Sequence, residues 1–326
     1  LPKVFMQDET TLQSKVPPAQ EGKSLLDYIS ERFRYQGRET WKKLIIDGKV
    51  TLNEKSASPD QPLKSKDIIA YSVVLNEPPV DRNIRIIHNE ESFLVAYKPG
   101  NLPSHADGNF IKNTFIYILS GLLKEQGFNG SLNLVHRLDR ETSGLMVVSK
   151  NKTAHQKLIQ QFETGLVAKE YLAITRGLIP EDQFEVSGAI GRDTDSQVSV
   201  RQKVVSDDIP FAKKSSTRFE VVSRLSNSTL VRCLPKTGRT NQIRIHLASI
   251  GHSLVGDKLY GRSDDEFLAF VHHVKSGGDA AWTGHIETPR QMLHASQLSF
   301  LHPETAQKVT FTVELPEDFK NYLERD

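Results

Sequence analysis

A chain of 326 residues with 42 basic and 40 acidic side chains, a net charge of +2 and 37% hydrophobic residues has an ordinary globular composition, with room for two domains. It holds no run of about 18 apolar residues that could cross a membrane as a helix, and its first twenty residues lack the basic start and apolar centre of a secretory signal. One cysteine, Cys233, excludes an internal disulfide and a cysteine-built zinc site, so a cytoplasmic setting is expected.

Residues 1–20 carry Pro17-Pro18 and open on a Leu that suggests a trimmed start; they predict a flexible arm. Residues 21–76 predict a small α/β domain. Apolar positions at Leu25, Leu26, Ile29 and Phe33, then at Trp41, Leu44 and Ile45, have the spacing of two short amphipathic helices, the second ended by Gly48. Short strands follow at 50–52 and 67–73. Arg34, Arg38, Lys42, Lys43 and Lys49 interleave with Phe33, Tyr35 and Trp41, a cationic face with aromatic stems that suits a phosphate backbone. A helical cap packed on the main domain is the alternative. Residues 77–83, with Pro78-Pro79, read as a linker, and 84–326 as the main domain.

The main domain opens with strands at 84–87 and 93–97. A proline-shaped turn from Lys98 to His105 follows, where Lys98 is placed to steer a phosphate. A helix at 114–123 precedes the segment Leu134 to Lys150, LVHRLDRETSGLMVVSK, whose charged loop lies between two short apolar strands. In that loop Asp139 stands between Arg137 and Arg140. Neighbouring cations favour the ionised carboxylate, which suits a nucleophile or base; a surface hairpin with Asp139 capping its turn is the alternative.

Beyond it, residues 154–162 predict a helix and 167–174 a strand carrying Tyr171, whose ring could stack on a base and whose hydroxyl could take part in acid–base chemistry. From Ser196 to Ile245 ten Lys or Arg stand against three acids, a local basic excess that includes Arg239. Gln242-Ile243-Arg244-Ile245-His246 begins a helix ended by Gly251. Residues 262–290 predict a helix and loop expected to lie over the site. Their His272-His273, with His285 and His294, fits no usual ligand spacing, so no metal is expected. No phosphate-binding glycine loop or internal repeat is present.

The order H-R-L-D-x-x-T-S-G at 136–144 closely resembles the signature of the RluA-type pseudouridine synthases. V-A-Y-K-P-G-N-L-P-S-H at 95–105, K-x-Y-L-A at 169–173, and the pair Q-I-R at 242–244 with G-D-K-L-Y-G at 256–261 resemble its other motifs in the same order. The resemblance covers roughly residues 84–315. It implies an α+β fold with a mixed, largely antiparallel sheet and flanking helices, and it assigns the catalytic role to Asp139. It also implies that Tyr171 lies beside the target base, that Arg244 pairs with Asp139, and that Arg137 fills the gap left by a flipped base. Asn241 stands where the family more often has His, which puts a titratable role there in doubt. Residues 21–76 resemble the RNA-binding domain first seen in ribosomal protein S-four.

The implied activity is isomerisation of uridine in structured RNA, with no cofactor. Lys98, Arg137, Arg140 and Arg239, with Arg34, Arg38, Lys42 and Lys43 in the first domain, are the expected RNA contacts. Large-subunit ribosomal RNA is preferred to transfer RNA because the extra domain lengthens the footprint. A monomer is expected, since nothing in the site asks for a second subunit. Two other readings stay open: a glycoside hydrolase using Asp139 with Glu141, and an RNA-binding protein without activity.

Overall fold

The structure is a computed structural model that describes residues 9–33, 36–74, 77–107, 110–276 and 287–325. Its contacts divide the chain into two compact units. One holds residues 1–79 with 105–113, the other 80–104 with 114–326.

The first unit has β1 (Glu9–Lys15), α1 (Leu25–Arg32), α2 (Arg38–Ile46), β2 (Val50–Leu52), β3 (Lys55–Ser56) and β4 (Ile68–Val74). The strands form one antiparallel sheet in the order β1-β4-β2-β3. Ser24 caps α1 by accepting the Asp27 N–H at 3.2 Å. Asn53 and Glu54 both adopt positive φ in the two-residue turn between β2 and β3, the geometry that matches strand twist in a tight hairpin. Leu25, Ile29, Trp41, Ile45, Val50, Leu63 and Ile69 form its core.

Three expectations are corrected here. Residues 9–15 are no arm: β1 pairs with β4 along seven positions, from Glu9 opposite Val74 to Lys15 opposite Ile68. Of the aromatic residues of the basic face, Phe33 packs against the core and Trp41 lies within it, while Tyr35 lies outside the described residues. Trp41 is fully buried, packs edge-on against Tyr71, and donates its indole N–H to the Phe33 carbonyl at 3.0 Å. The loop 105–113, expected in the main domain, groups with this unit because the Glu77 carboxylate accepts the N–H groups of Ile111, Lys112 and Asn113 at 2.7–3.0 Å.

The second unit is built on a mixed sheet. Its elements are β5 (Arg85–Asn89), β6 (Phe93–Lys98), α3 (Phe115–Glu125), β7 (Asn133–Leu134), β8 (Ser143–Ser149), α4 (Lys152–Glu163), β9 (Ala168–Arg176), β10 (Gln183–Arg192), β11 (Gln202–Val205) and β12 (Lys213–Arg224). They continue with β13 (Ser228–Pro235), α5 (Gln242–Ser249), α6 (Asp264–Lys275), β14 (Leu293–Leu301), β15 (Lys308–Thr312) and α7 (Glu317–Arg325). The order is β11-β10-β12-β13-β9-β14-β8-β6-β5, with β15 on β14 and β7 on β8. Among the described pairs only β14 with β8 is parallel. This is the α+β, largely antiparallel architecture expected. β6 and β8 are buried on both faces, which is why their sequences are continuous apolar runs.

Central strand β8 positions the charged loop. Gly144 lies at φ +125°, and a Cβ there would meet the Ala295 carbonyl oxygen of β14 at 2.2 Å. Only glycine permits this approach, so the chain leaves the loop directly into the parallel pairing of His294 with Ser143.

Candidate active site

The loop 135–142 connects β7 to β8 and is tied down at several points. The Ser104 hydroxyl donates to the Leu138 carbonyl at 2.7 Å and accepts its N–H at 3.1 Å. Nε2 of His136 accepts the Val147 N–H at 3.0 Å while its ring stacks on Phe162 at 4.6 Å. Burial, and after it the Lys169 charge, pushes the pKa of His136 down to about 3, so it stays a neutral acceptor. The Leu102 N–H and the Lys98 ammonium both donate to the Arg140 carbonyl, at 3.0 and 3.2 Å. Asp139 is thereby held at the tip of a braced loop.

Opposite lies Arg244 on α5. One η nitrogen donates to Oδ2 of Asp139 at 3.1 Å and to Oδ1 of Asn241 at 2.8 Å. Nε and the other η nitrogen grip Asp257 at 2.7 and 2.9 Å, and the guanidinium lies 4.9 Å from the Tyr260 ring centre. Asp257 is completely buried and accepts the N–H groups of Leu259 and Tyr260. Burial alone would lower the pKa of Arg244; Asp257 and then Asp139 outweigh it, so the guanidinium is held charged. Burial likewise opposes ionisation of Asp257 and is outweighed by Arg244 and the two amides.

Tyr171, on β9 between Cys233 of β13 and Ala295 of β14, completes the set. Burial, then the Asp139 charge, raises its pKa, so its hydroxyl remains protonated. Asp139, Tyr171 and Arg244 line one cavity of about 570 Å³, together with Arg137, Lys169, Lys236 and Arg239; Glu163 is its other acid. A cavity of about 690 Å³, lined by Tyr97, Arg290 and Asp318 among others, holds none of the three. Of these two cavities, only the first brings a carboxylate and a phenol together with an excess of cations.

Several expected contacts fall elsewhere. Lys98 is fully buried, its ammonium donating to the carbonyls of Pro99 and Leu102 at 2.9 and 2.8 Å as well as to Arg140, so it braces the loop and meets no phosphate. Arg140 turns from the cavity to Glu141 at 3.1 Å. Glu141 is also engaged, by Lys258 at 2.7 Å and the Gln291 N–H at 3.1 Å, and is absent from the cavity wall. The paired-carboxylate alternative therefore loses its second member. Arg137 is exposed at the cavity edge. Arg38, Lys42 and Lys43 are exposed on α2, with Arg38 paired to Asp27 at 2.7 Å; Arg34 lies outside the described residues.

The added segment supplies α6, whose Phe267 packs with Leu259 and Tyr260 and none of whose residues lines the cavity; residues 277–286, with His285, lie outside the described residues. Among the described residues no group of three His, Cys, Asp or Glu is placed to hold a metal. Asp257 and Lys169 were missed as site residues. The motif G-D-K-L-Y-G contained the first, and alternation with Tyr171 on β9 could have found the second.

Residues 92–249 match the RNA pseudouridylate synthase family. The chain is 34% identical over 293 residues to a protein of Zymomonas mobilis named ribosomal large subunit pseudouridine synthase D, covering 87% of each. It is 29% identical to ribosomal large subunit pseudouridine synthase C of Buchnera aphidicola, covering 91% of each. Among solved structures, human RNA Pseudouridylate Synthase Domain Containing 4 superposes with a TM-score of 0.58 at 27% identity, over 74% of this chain and 92% of that one.

Proposed function

We propose, for a chain that belongs to the RluA-type family of RNA pseudouridine synthases, that Asp139 is its catalytic carboxylate and large-subunit ribosomal RNA its substrate. The protein is an isomerase acting on RNA. The proposal concerns which residues do the work and on which RNA. The observation that carries it is the Asp139–Arg244 contact of 3.1 Å inside a cation-lined cavity that also holds Tyr171.

In this reading the target uridine leaves its stack, at a cost of a few kcal/mol that favours loops and bulges. Arg137, at the cavity edge, fills the gap. Asp139 acts at the ribose–base junction as nucleophile or base while Arg244 keeps it ionised and oriented. The N1–C1′ bond breaks, the uracil turns against Tyr171, and C5 bonds to C1′. The C5 hydrogen passes to water and N1 takes up a proton, so nothing is oxidised and no group is donated.

Residues 21–76 serve as a second RNA-binding unit through the exposed Arg38, Lys42 and Lys43, beside Lys49. That extra footprint, and the names of the two relatives, support ribosomal over transfer RNA. In this reading the enzyme works as a monomer in the cytoplasm. Mapping pseudouridines in ribosomal and transfer RNA from cells lacking the gene tests the substrate. Loss of sites from large-subunit RNA supports the proposal, and loss from transfer RNA alone contradicts it.

A further inference from the structure

Not all cations of the cavity have a carboxylate to answer them. Arg244 has Asp139 and Asp257, and Lys236 has Glu185 at 2.8 Å. Lys169 and Arg239 have none among the described residues. The Lys169 ammonium donates to the Thr237 carbonyl at 3.1 Å, and Nε of Arg239 to the Lys214 carbonyl at 3.0 Å. Both are neutral acceptors.

Their placement is specific. Lys169 lies two residues before Tyr171 on β9, so strand alternation sends both side chains to the cavity face, roughly 7 Å apart along the strand. Its ammonium rests against the turn 236–241, where a Cβ on Gly238 would lie 3.6 Å from it, and Arg239 is the next residue of that turn. A partly buried ammonium beside a guanidinium, with no carboxylate of the described residues paired to either, is electrostatically unfavourable. Burial, then Arg239, lowers the Lys169 pKa. An anion entering between the two would reverse that penalty, and the cavity wall carries five Lys or Arg against the carboxylates of Asp139 and Glu163.

We propose that Lys169 and Arg239 form a phosphate subsite that anchors the phosphodiester adjoining the target nucleotide when its base lies against Tyr171. The proposal rests on the uridine-isomerase reading of the same cavity. A single phosphodiester is the right ligand because the offset between Tyr171 and Lys169 is one that a nucleotide bridges, and because two converging cations with several N–H donors match a phosphate better than a lone carboxylate.

The test is binding of a short hairpin RNA with one loop uridine to the full chain and to its Lys169→Gln and Lys169→Arg variants, across a range of salt. Removing one phosphate contact lowers the slope of log affinity against log salt by about 0.7, and Lys169→Arg restores it. Replacing the phosphate on one side of the uridine by an uncharged methylphosphonate weakens the wild type by about tenfold and Lys169→Gln hardly at all. An unchanged slope in Lys169→Gln, or an equal methylphosphonate penalty in both proteins at both positions, overturns the proposal and leaves Lys169 only as a prop for the Thr237 carbonyl. These are binding measurements. They decide the subsite even if no uridine is converted, a result that would instead count against the isomerase reading.

Discussion

Arg244 meets Asp257 side-on through two nitrogens, at 2.7 and 2.9 Å, which leaves a single η nitrogen to reach Asp139 at 3.1 Å. The buried carboxylate of Asp257 is therefore the anchor, and Asp139 shares a cation already held in place. A carboxylate with a partial claim on its counter-ion keeps lone pairs free for reaction, whereas a fully bidentate pair would occupy them.

Replacing Asp257 by Asn should leave a buried guanidinium with Asp139 as its only carboxylate. Loss of one partner from a buried pair costs about 3–5 kcal/mol, and Arg244 is then free to engage Asp139 more fully. Asp257→Asn is expected to lower the melting temperature and to cut kcat by about 100-fold, a loss of about 3 kcal/mol in transition-state stabilisation. Wild-type kcat in a folded variant would show that the anchor does not matter to the reaction.

Asn241 occupies the left-handed region at φ +56° and bridges the site, accepting from Arg244 and donating to the Tyr260 hydroxyl at 3.3 Å. An amide does this at every pH. Asn241→His keeps an acceptor only while the imidazole is neutral, so its kcat/KM should fall as pH drops through about 6.5. The wild type should lack that limb, and parallel profiles from pH 5.5 to 8 would contradict the role.

The raised pKa of Tyr171 means that its phenol donates a proton or a hydrogen bond and does not act as a phenolate near neutral pH. Tyr171→Phe should lower kcat without changing the shape of the pH profile up to about pH 10. Disappearance of an alkaline limb in the Phe variant would assign titration to the hydroxyl after all.

His246 and His294 are fully buried, and burial depresses the pKa of each to about 4. Their unfolded-state value is about 6.5. A depressed pKa contributes stability that is present above the unfolded value and lost as pH falls towards the folded one, here between pH 6.5 and 4. At pH 5 the loss is on the order of 2 kcal/mol for each. Calorimetry should show the second unit melting at lower temperature at pH 5 than at pH 7, and an unchanged melting temperature would contradict it.

What the sequence revealed and what it concealed have physical causes. Strand β8, which follows Asp139, was legible because burial on both faces leaves an apolar run, and the helices at 25–32 and 38–46 because their apolar spacing has a helical period. β1 was concealed: Glu9-Thr10-Thr11-Leu12-Gln13-Ser14-Lys15 is mostly polar, and its partner β4 lies about sixty residues on. Charges misled most. Lys98 looks like surface but lies in a ring of carbonyls, one of them 42 residues away, and Asp257 looks solvated but is the most enclosed acid of the site. Trp41 sat among lysines yet faces the core, since one helix can be basic outside and aromatic inside. α7 went unread, although Phe319 is its buried anchor.

The central claim is that Asp139 performs the chemistry on RNA uridine. Uridine carrying tritium at C5 loses that label to water only when C5 becomes the glycosidic carbon. Ribosomal RNA so labelled should release tritium with the wild-type protein and none with Asp139→Asn, while the variant binds the RNA with near wild-type affinity. Release by Asp139→Asn at the wild-type rate would place the reaction on another group and contradict the account.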